Sequence, residues 1–231
     1  MNTTSGGFSG NRELKKRVKT ARGRKPSSIR WLQRQLNDPY VALAKKEGYR
    51  SRAAYKLIEL DDKFHFLKAG KTVLDLGAAP GGWTQVAAAR VKSTEEKPLV
   101  VGVDILPMPS IPSAIVMQLD FMEDTAPDKI RELIKGGVDV VLSDMAPNTT
   151  GHQATDHIRI MALIEAAYPF ACEVLSVGGV FIAKVFQGGA EKELLAQMHK
   201  DFTTVKHAKP KASRSDSAEM YVVAMGFRIC S

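Results

Sequence analysis

Short apolar segments alternate with longer segments of helical periodicity through most of the chain after about residue 70. The short segments are rich in β-branched residues, and Gly, Pro or Asp bounds most of them, as is typical of strands. We expect strands at Thr72–Leu76, Leu99–Asp104, Ala114–Leu119, Val138–Ser143, Val180–Val185 and Met220–Phe227. Helices are expected near residues 83–92, 126–135, 153–176 and 189–201. This alternation predicts an α/β fold with a parallel sheet and crossover helices.

Three further helical segments precede the sheet, at Trp31–Leu36, Tyr40–Glu47 and Arg52–Phe64. Pro169 lies inside the predicted helix 153–176 and should kink or split it, because proline cannot donate the helical hydrogen bond. A length of 231 residues allows one domain with helices on both faces of a sheet, plus short extensions.

The net charge of +8 is concentrated at the amino terminus. Residues 1–35 contain ten Lys and Arg residues against the single acidic residue Glu13, and the other 23 basic and 24 acidic residues nearly cancel. A basic arm suits contact with nucleic-acid phosphates, where counterion release supplies affinity. The alternatives are a solvated, disordered tail or an organellar transit peptide. We therefore expect a partly disordered basic arm at residues 1–35 and a single domain at residues 36–231.

Cysteine usage and hydropathy limit the compartment and the class of protein. Cys172 and Cys230 are too few and too far apart for a disulfide framework or a zinc site, so we expect no metal and a reducing, cytoplasmic location. No apolar run approaches ~18 residues, and the amino terminus lacks the apolar stretch of a secretory signal. No membrane segment is expected.

A glycine-rich turn follows the first predicted strand. Gly77 comes directly after the strand, and Gly81 and Gly82 open the next helix, so the backbone can approach a ligand with no Cβ in between. Asp104 and Asp120 end the next two strands, where a carboxylate could accept ribose hydroxyls or an adenine amino group. Each feature alone is more often a tight turn or a helix cap. Together they favour a nucleoside cofactor, although the glycine spacing fits neither the dinucleotide fingerprint nor the P-loop.

Five segments extend this pattern along the chain in a fixed order. They are Ser27–Gln33, Arg50–Leu57, Asp75–Trp83, Ser143–Asn148 and Lys184–Gly188. Together they resemble the FtsJ/RlmE family, and the similarity runs from about residue 24 to residue 229 without a large gap. That family comprises S-adenosylmethionine-dependent ribosomal RNA 2'-O-ribose methyltransferases, whose bacterial members modify a uridine of the large-subunit rRNA.

The resemblance implies a Rossmann-like methyltransferase fold. Its mostly parallel sheet would have about seven strands, helices on both faces and an antiparallel last strand. The resemblance also implies that S-adenosyl-L-methionine is bound by the turn and by strand-end carboxylates: Gly77, Gly81, Gly82, Trp83, Asp104, Asp120 and Asp144. The Trp83 side chain is expected to pack under the turn. The partner would be large-subunit rRNA or the large ribosomal subunit, and we expect a monomer.

The family's catalytic Lys-Asp-Lys-Glu tetrad falls on Lys56, Asp144, Lys184 and Glu219. A ribose hydroxyl is a poor nucleophile, and a lysine can deprotonate it only where burial or a neighbouring cation lowers the lysine pKa. Lys184, at the end of an apolar strand, is the best candidate for this base, and Lys56 could supply the neighbouring cation. Asp144 would hold the Lys184 ammonium, and Glu219 would orient Lys56 or the ribose.

Each member of the tetrad also has an ordinary structural interpretation. Lys56 could be a helix-surface lysine, Asp144 a cap of the following turn and Glu219 an exposed edge residue. Lys184 is harder to explain in this way, because apolar neighbours surround it in a predicted buried strand and a charge there needs a partner.

The segment before Glu219 departs from the family's pattern, because Asp216, Ser217 and Ala218 stand where relatives tend to keep an Arg-Ser or similar pair. A second basic segment there could extend an RNA-binding groove: Lys206, His207, Lys209, Lys211 and Arg214. Two other functions stay open at this point. One is 2'-O-methylation of tRNA or another RNA, and the other is a non-catalytic ribosome-assembly factor.

Overall fold

The computed structural model describes residues 23, 25–147, 152–186 and 192–228. Seven helices are present in this part of the chain: α1 Pro26–Leu36, α2 Pro39–Glu47, α3 Ala54–Phe64, α4 Gly82–Val91, α5 Ala126–Ile134, α6 Gln153–Val174 and α7 Lys192–Asp201. The strands are β1 Val73–Leu76, β2 Val100–Asp104, β3 Ile115–Gln118, β4 Val138–Ser143, β5 Leu175–Phe186, β6 Phe202–Ala208 and β7 Glu219–Phe227.

The seven strands form one sheet in the order β3-β2-β1-β4-β5-β7-β6. Strands β1 to β5 pair in parallel, and β7 runs antiparallel to both of its neighbours, β5 and β6. The predicted α/β fold, with a mostly parallel sheet of about seven strands and an antiparallel last strand, is confirmed. Strand order reverses between β1 and β4, and ligands of such sheets bind in the crevice at the carboxyl ends of these two strands.

Both faces of the sheet are covered, because successive side chains of a strand point to opposite faces. Val141 of β4 packs in the core under α5, α6 and α7, together with Ile164 and Phe170. Leu142, the next residue, packs in the second core under α3 and α4, together with Leu57 and Val86. Burial on both faces explains why the central strands are continuous apolar runs without alternation.

Two details of the predicted elements differ from the structure. Strand β6 was not predicted, because its sequence is short and polar, and it forms the edge of the sheet, where lysines such as Lys206 are common. Helix α6 continues through Pro169 as one element, so the predicted split is wrong, while the alternative of a kink stays a prediction. The buried residues Ala167, Phe170 and Ala171 around Pro169 hold the helix against the sheet despite the lost hydrogen bond.

Helix α1 covers residues 26–35 of the predicted basic arm. Residues 1–22 and Arg24 of that arm lie outside the described residues, as do Asn148, Gln187, Gly188 and Cys230. Of the helices that the structure describes, none combines the length and apolar character that crossing a membrane requires. The same residues contain no group of three or more His, Cys, Asp or Glu side chains that could hold a metal ion.

Candidate active site

The glycine-rich turn brings the end of β1 against the segment that follows β4. Gly77 has φ +77°, and a Cβ on it would lie 2.7 Å from both Cα and N of Met145. Gly81 has φ +108°, which side-chain-bearing residues rarely adopt. The turn is fixed by backbone hydrogen bonds from Gly77 N to Val103 O at 2.9 Å and from Gly81 N to Ala78 O at 2.6 Å. Glycine is therefore required at both positions.

A cleft of about 600 Å³ opens beside this turn at the carboxyl ends of the parallel strands. Apolar side chains of the β3 end, the segment after β4 and helix α6 form much of its wall, and four of the predicted cofactor residues line it: Gly77, Asp104, Asp120 and Asp144. Gly81 instead caps helix α4, and Gly82 and Trp83 are the first residues of that helix. A second groove of similar volume, between α3 and the segment after β6, contains none of the predicted site residues.

The strand-end carboxylates also shape the loops that carry them. Asp104 accepts hydrogen bonds from Ala79 N at 2.8 Å and from Leu106 N at 2.7 Å. Asp120 accepts one from Met122 N at 2.9 Å. The ordinary interpretation as turn-stabilising residues therefore applies to both. Because a carboxylate has about four acceptor positions, each can still accept a hydrogen bond from a ligand in the cleft.

The Trp83 side chain packs in the core, as was expected for a residue under the turn. Its side chain is 2% exposed, and Nε1 donates to Ala53 O at 2.8 Å. The indole lies against the ring of Tyr221, with centroids 5.5 Å apart. Trp83 thus connects the glycine-rich turn to α3 and β7.

Ser51 is a polar residue at this turn that the sequence did not single out. Its Oγ is buried and has no hydrogen-bond partner among the described residues. A Cβ on Gly82 would approach this Oγ to 2.4 Å, so glycine leaves the hydroxyl facing the turn. An unpaired buried hydroxyl is costly unless a ligand satisfies it. Ser51 could be found from sequence only through its place in the segment Arg50–Leu57.

The predicted tetrad forms two buried ion pairs. Lys184 Nζ lies 2.8 Å from Asp144 Oδ1 and also donates to Asp144 O at 2.8 Å. Lys56 Nζ lies 2.7 Å from one carboxylate oxygen of Glu219 and 2.8 Å from the other. Both lysines are 7% exposed, so the interpretation of Lys56 as a helix-surface lysine is wrong. Each buried ammonium has a carboxylate partner, as a buried charge requires.

Tyr221 joins the two pairs and was missed by the sequence analysis. Its hydroxyl donates to Asp144 Oδ1 at 2.8 Å and accepts from Lys56 Nζ at 3.3 Å. It follows Glu219 by two residues on the same face of β7 and is the register partner of Lys184 on β5. Burial raises its pKa well above the usual value, and the charges of Asp144 and Glu219 act in the same direction. The hydroxyl therefore stays protonated at neutral pH.

The charge of Asp144 is stabilised by the two lysines. Burial acts to raise the pKa of Asp144, but the charges of Lys184 and Lys56 and the hydrogen bonds from Lys184 and Tyr221 outweigh it. The pKa therefore lies below its usual range. Because Asp144 also lines the cleft, one carboxylate connects the ion pairs with the space beside the glycine-rich turn.

Comparison with known proteins identifies the family of this chain. Residues 49–227 match the family model described as FtsJ-like methyltransferase, which covers most of the chain. The chain belongs to this family. Ribosomal RNA large subunit methyltransferase E of Rhodopseudomonas palustris (strain BisB5) is 61% identical to this FtsJ-like chain over 211 residues, with 91% of this chain and 90% of the relative covered. The protein of the same name from Paramagnetospirillum magneticum is 61% identical over 228 residues, covering 98% and 93%.

A solved structure from Plasmodium falciparum, provisionally named a ribosomal RNA methyltransferase, has the same fold. It matches with a TM-score of 0.68 and 34% identity over 78% of this chain and 98% of its own. The FtsJ-like methyltransferase fold is therefore shown by sequence and by structure.

The bridging hydroxyl of this FtsJ-like protein can be removed with little change in packing. We expect Tyr221→Phe to lower the rate of methyl transfer by about three- to tenfold and the free energy of unfolding by about 1–3 kcal/mol, because the hydrogen bonds of the hydroxyl to two charged side chains are lost. Steady-state rates and urea unfolding measure the two effects. A variant with the wild-type rate would show that the bridge has no part in the reaction.

Asp75 is a fully buried carboxyl group in β1 beneath the site. Thr84 Oγ1 donates to its Oδ2 at 2.7 Å, and Oδ1 has no partner among the described residues. Burial raises the pKa of Asp75 to about 7; the charges of Asp144 and Asp104 add to this, and the bond from Thr84 opposes it. Between these two pKa values, the folded protein therefore holds a proton on Asp75 that the unfolded chain releases, because the ordinary pKa of this carboxyl group is 3.8.

This difference makes stability depend on pH. Between about pH 4 and 7 the folded state binds more protons than the unfolded state, so this group lowers the free energy of unfolding as the pH rises, by at most about 1.4 kcal/mol per unit. Asp75→Asn removes the titration. As the pH rises from about 4 to 7, we expect the variant to gain stability relative to the wild type. Above about pH 8 the difference between their free energies of unfolding should stay constant. Urea unfolding across this pH range measures the gap, and a pH-independent gap would contradict the assignment.

Proposed function

We propose that this protein transfers the methyl group of S-adenosyl-L-methionine to the 2'-oxygen of a ribose, in a uridine of large-subunit ribosomal RNA. The observation that carries the proposal is the pair of buried Lys–carboxylate contacts, joined by Tyr221, with Asp144 shared between them and the cleft. The names of the bacterial relatives support an rRNA substrate.

The residues around the turn fit the proposed cofactor. Gly77 lines the cleft without a side chain, and the unpaired Ser51 hydroxyl lies behind the turn, beside Gly82. Asp104 would accept the ribose hydroxyls, and Asp120 would accept the adenine amino group beside apolar side chains such as Phe121. The sulfonium group supplies an electrophilic methyl group and leaves as a neutral thioether.

The tetrad supplies the acid–base chemistry of the transfer. In this proposal the Lys184 ammonium first releases a proton to solvent, and the neutral amine then takes the proton of the 2'-hydroxyl while the oxygen forms its bond to the methyl carbon. Asp144 holds Lys184 in position through two contacts and supplies negative charge beside the cleft. Lys56 stabilises negative charge on the oxygen, and Glu219 and Tyr221 fix the place of the Lys56 ammonium.

A basic residue of α1 lies near the segment between β6 and β7, which carries Lys209, Lys211 and Arg214. Arg34 of α1 and the residues after β6 lie close together, because Arg34 Nη1 is 4.0 Å from Asp216 Oδ2. We propose that this face receives the RNA backbone, with the basic arm adding sequence-independent affinity. A monomer acting on the large subunit in the cytoplasm is part of the same proposal.

Parallel methylation assays test the substrate. The protein and labelled S-adenosyl-L-methionine are incubated with one RNA in each of three reactions. The RNAs are large ribosomal subunits from cells lacking the enzyme, free rRNA and tRNA. We expect label in the large-subunit rRNA. Label on tRNA alone would establish the alternative RNA substrate, and binding to subunits without any transfer would establish an assembly factor. Wild-type subunits, already modified, are the control and should accept little label.

A further inference from the structure

The segment between β6 and β7, residues 209–218, is held against α3 by Glu59. One carboxylate oxygen of Glu59 accepts a hydrogen bond from Lys211 N, and the other accepts from Ala212 N at 3.1 Å. Tyr40 of α2 also donates its hydroxyl to Glu59, at 3.3 Å. Two successive backbone groups of this segment are thus fixed by one side chain of α3.

Arg52 binds the same segment through the carbonyl group of Ala212. Its Nη2 donates to Ala212 O at 2.5 Å, and its Nε forms an ion pair with Asp38 Oδ2 at 2.8 Å, without hydrogen-bond geometry. Arg214 Nη2 approaches the same Asp38 oxygen to 3.7 Å. Ala212 is fully buried and packs with Tyr55. Ala212 therefore has its N–H, its C=O and its methyl group all engaged.

Ser213, the next residue, connects this segment to the site. It is 6% exposed, and its N–H donates to Pro210 O at 2.9 Å. Its Oγ donates to Glu219 Oε1 at 2.8 Å, the same oxygen that lies 2.7 Å from Lys56 Nζ. One carboxylate oxygen thus receives both the serine hydroxyl and the ammonium.

We propose that Ser213 is a positioning residue that sets the orientation of the Glu219 carboxylate and, through it, the place of the Lys56 ammonium. Without the serine hydroxyl the carboxylate can rotate, and Lys56 moves with it. The inference rests on the proposed function, in which Lys56 stabilises charge that develops only in the transition state. Loss of such an interaction lowers kcat and leaves substrate binding largely unchanged.

Kinetics of Ser213→Ala and Ser213→Thr test this role. We expect the alanine variant to lose about tenfold in kcat, with KM for RNA and for cofactor within about twofold of the wild type. The threonine variant, which keeps the hydroxyl, should recover most of the rate. In a Glu219→Ala background the alanine change should have almost no further effect, since the two residues act as one unit. Ser176→Ala is the matched control, because Ser176 lies at the start of β5, at the other end of that strand from Lys184.

A second measurement does not depend on methyl transfer. Acetylation of lysines by a reactive ester, followed by mass spectrometry, reports how accessible Lys56 is, and it should increase in Ser213→Ala while that of Lys184 stays constant. If the wild type methylates RNA but neither kcat nor Lys56 labelling changes, or if the two mutations are additive, the inference is wrong. If the wild type transfers no methyl group but Lys56 labelling still increases, the proposed function fails and the positioning role stands.

Discussion

Replacing Lys184 with alanine should lower the rate of methyl transfer by about a thousandfold, within the range of general-base contributions. Lys184 is the buried lysine whose ammonium contacts Asp144 at the cleft, and no other amine lies at that place among the described residues. Single-turnover transfer from labelled cofactor to large subunits measures the effect. Cofactor affinity, measured by calorimetry, should change little, since the proposed cofactor contacts are retained.

Lys129→Ala is the matched control for this prediction. Lys129 lies exposed on α5 and pairs loosely with Glu123 at 3.6 Å, so its removal should leave both rate and affinity unchanged. A Lys184→Ala variant with near-normal turnover would refute the role of Lys184 as the base. A variant that is inactive only because it no longer binds cofactor would move Lys184 from catalysis to binding.

Asp144→Asn should lower the rate by about a hundredfold. The change keeps the shape of the side chain but removes the negative charge that both lysines stabilise. Because the buried Lys184 ammonium then lacks its carboxylate partner, we also expect the free energy of unfolding to fall by about 1–3 kcal/mol. Transfer rates and urea unfolding measure the two effects.

Asp139→Asn is a closely matched control on the same strand. Asp139 lies near the start of β4 and pairs with Lys71 at 2.7 Å, far from the cleft at the other end of the strand. This variant should lose some stability and keep its rate. If Asp144→Asn behaved in the same way, with a loss of stability and no loss of rate, the charge of Asp144 would have no part in the reaction.

The fold followed from the sequence because its dominant signals are local. The strands at the centre of the sheet are apolar on both faces, so they stand out as continuous runs such as Val138–Ser143. Edge strand β6 has one exposed side and polar residues, and for that reason it carried no such signal. The continuity of α6 through Pro169 depends on packing against the sheet, which single-residue propensities do not include.

The site was predictable to a smaller extent. A lysine between apolar residues in a predicted buried strand indicated that Lys184 needs a partner, and the structure gives Asp144 as that partner. Tyr221, Ser213 and Ser51 were not found. Tyr221 is indistinguishable in sequence from a core aromatic residue, and the roles of the two serines depend on contacts between segments far apart in the chain. The basic arm, the monomeric state and the cytoplasmic location stay predictions.

The chemical position of the transferred methyl group tests the proposed 2'-O-methylation most directly. RNA from large subunits labelled by the protein is hydrolysed in alkali, which cleaves only where the 2'-hydroxyl is free. We expect the label to be recovered in an alkali-stable dinucleotide and, after enzymatic digestion, as 2'-O-methyluridine. Label recovered in mononucleotides carrying a methylated base would contradict it.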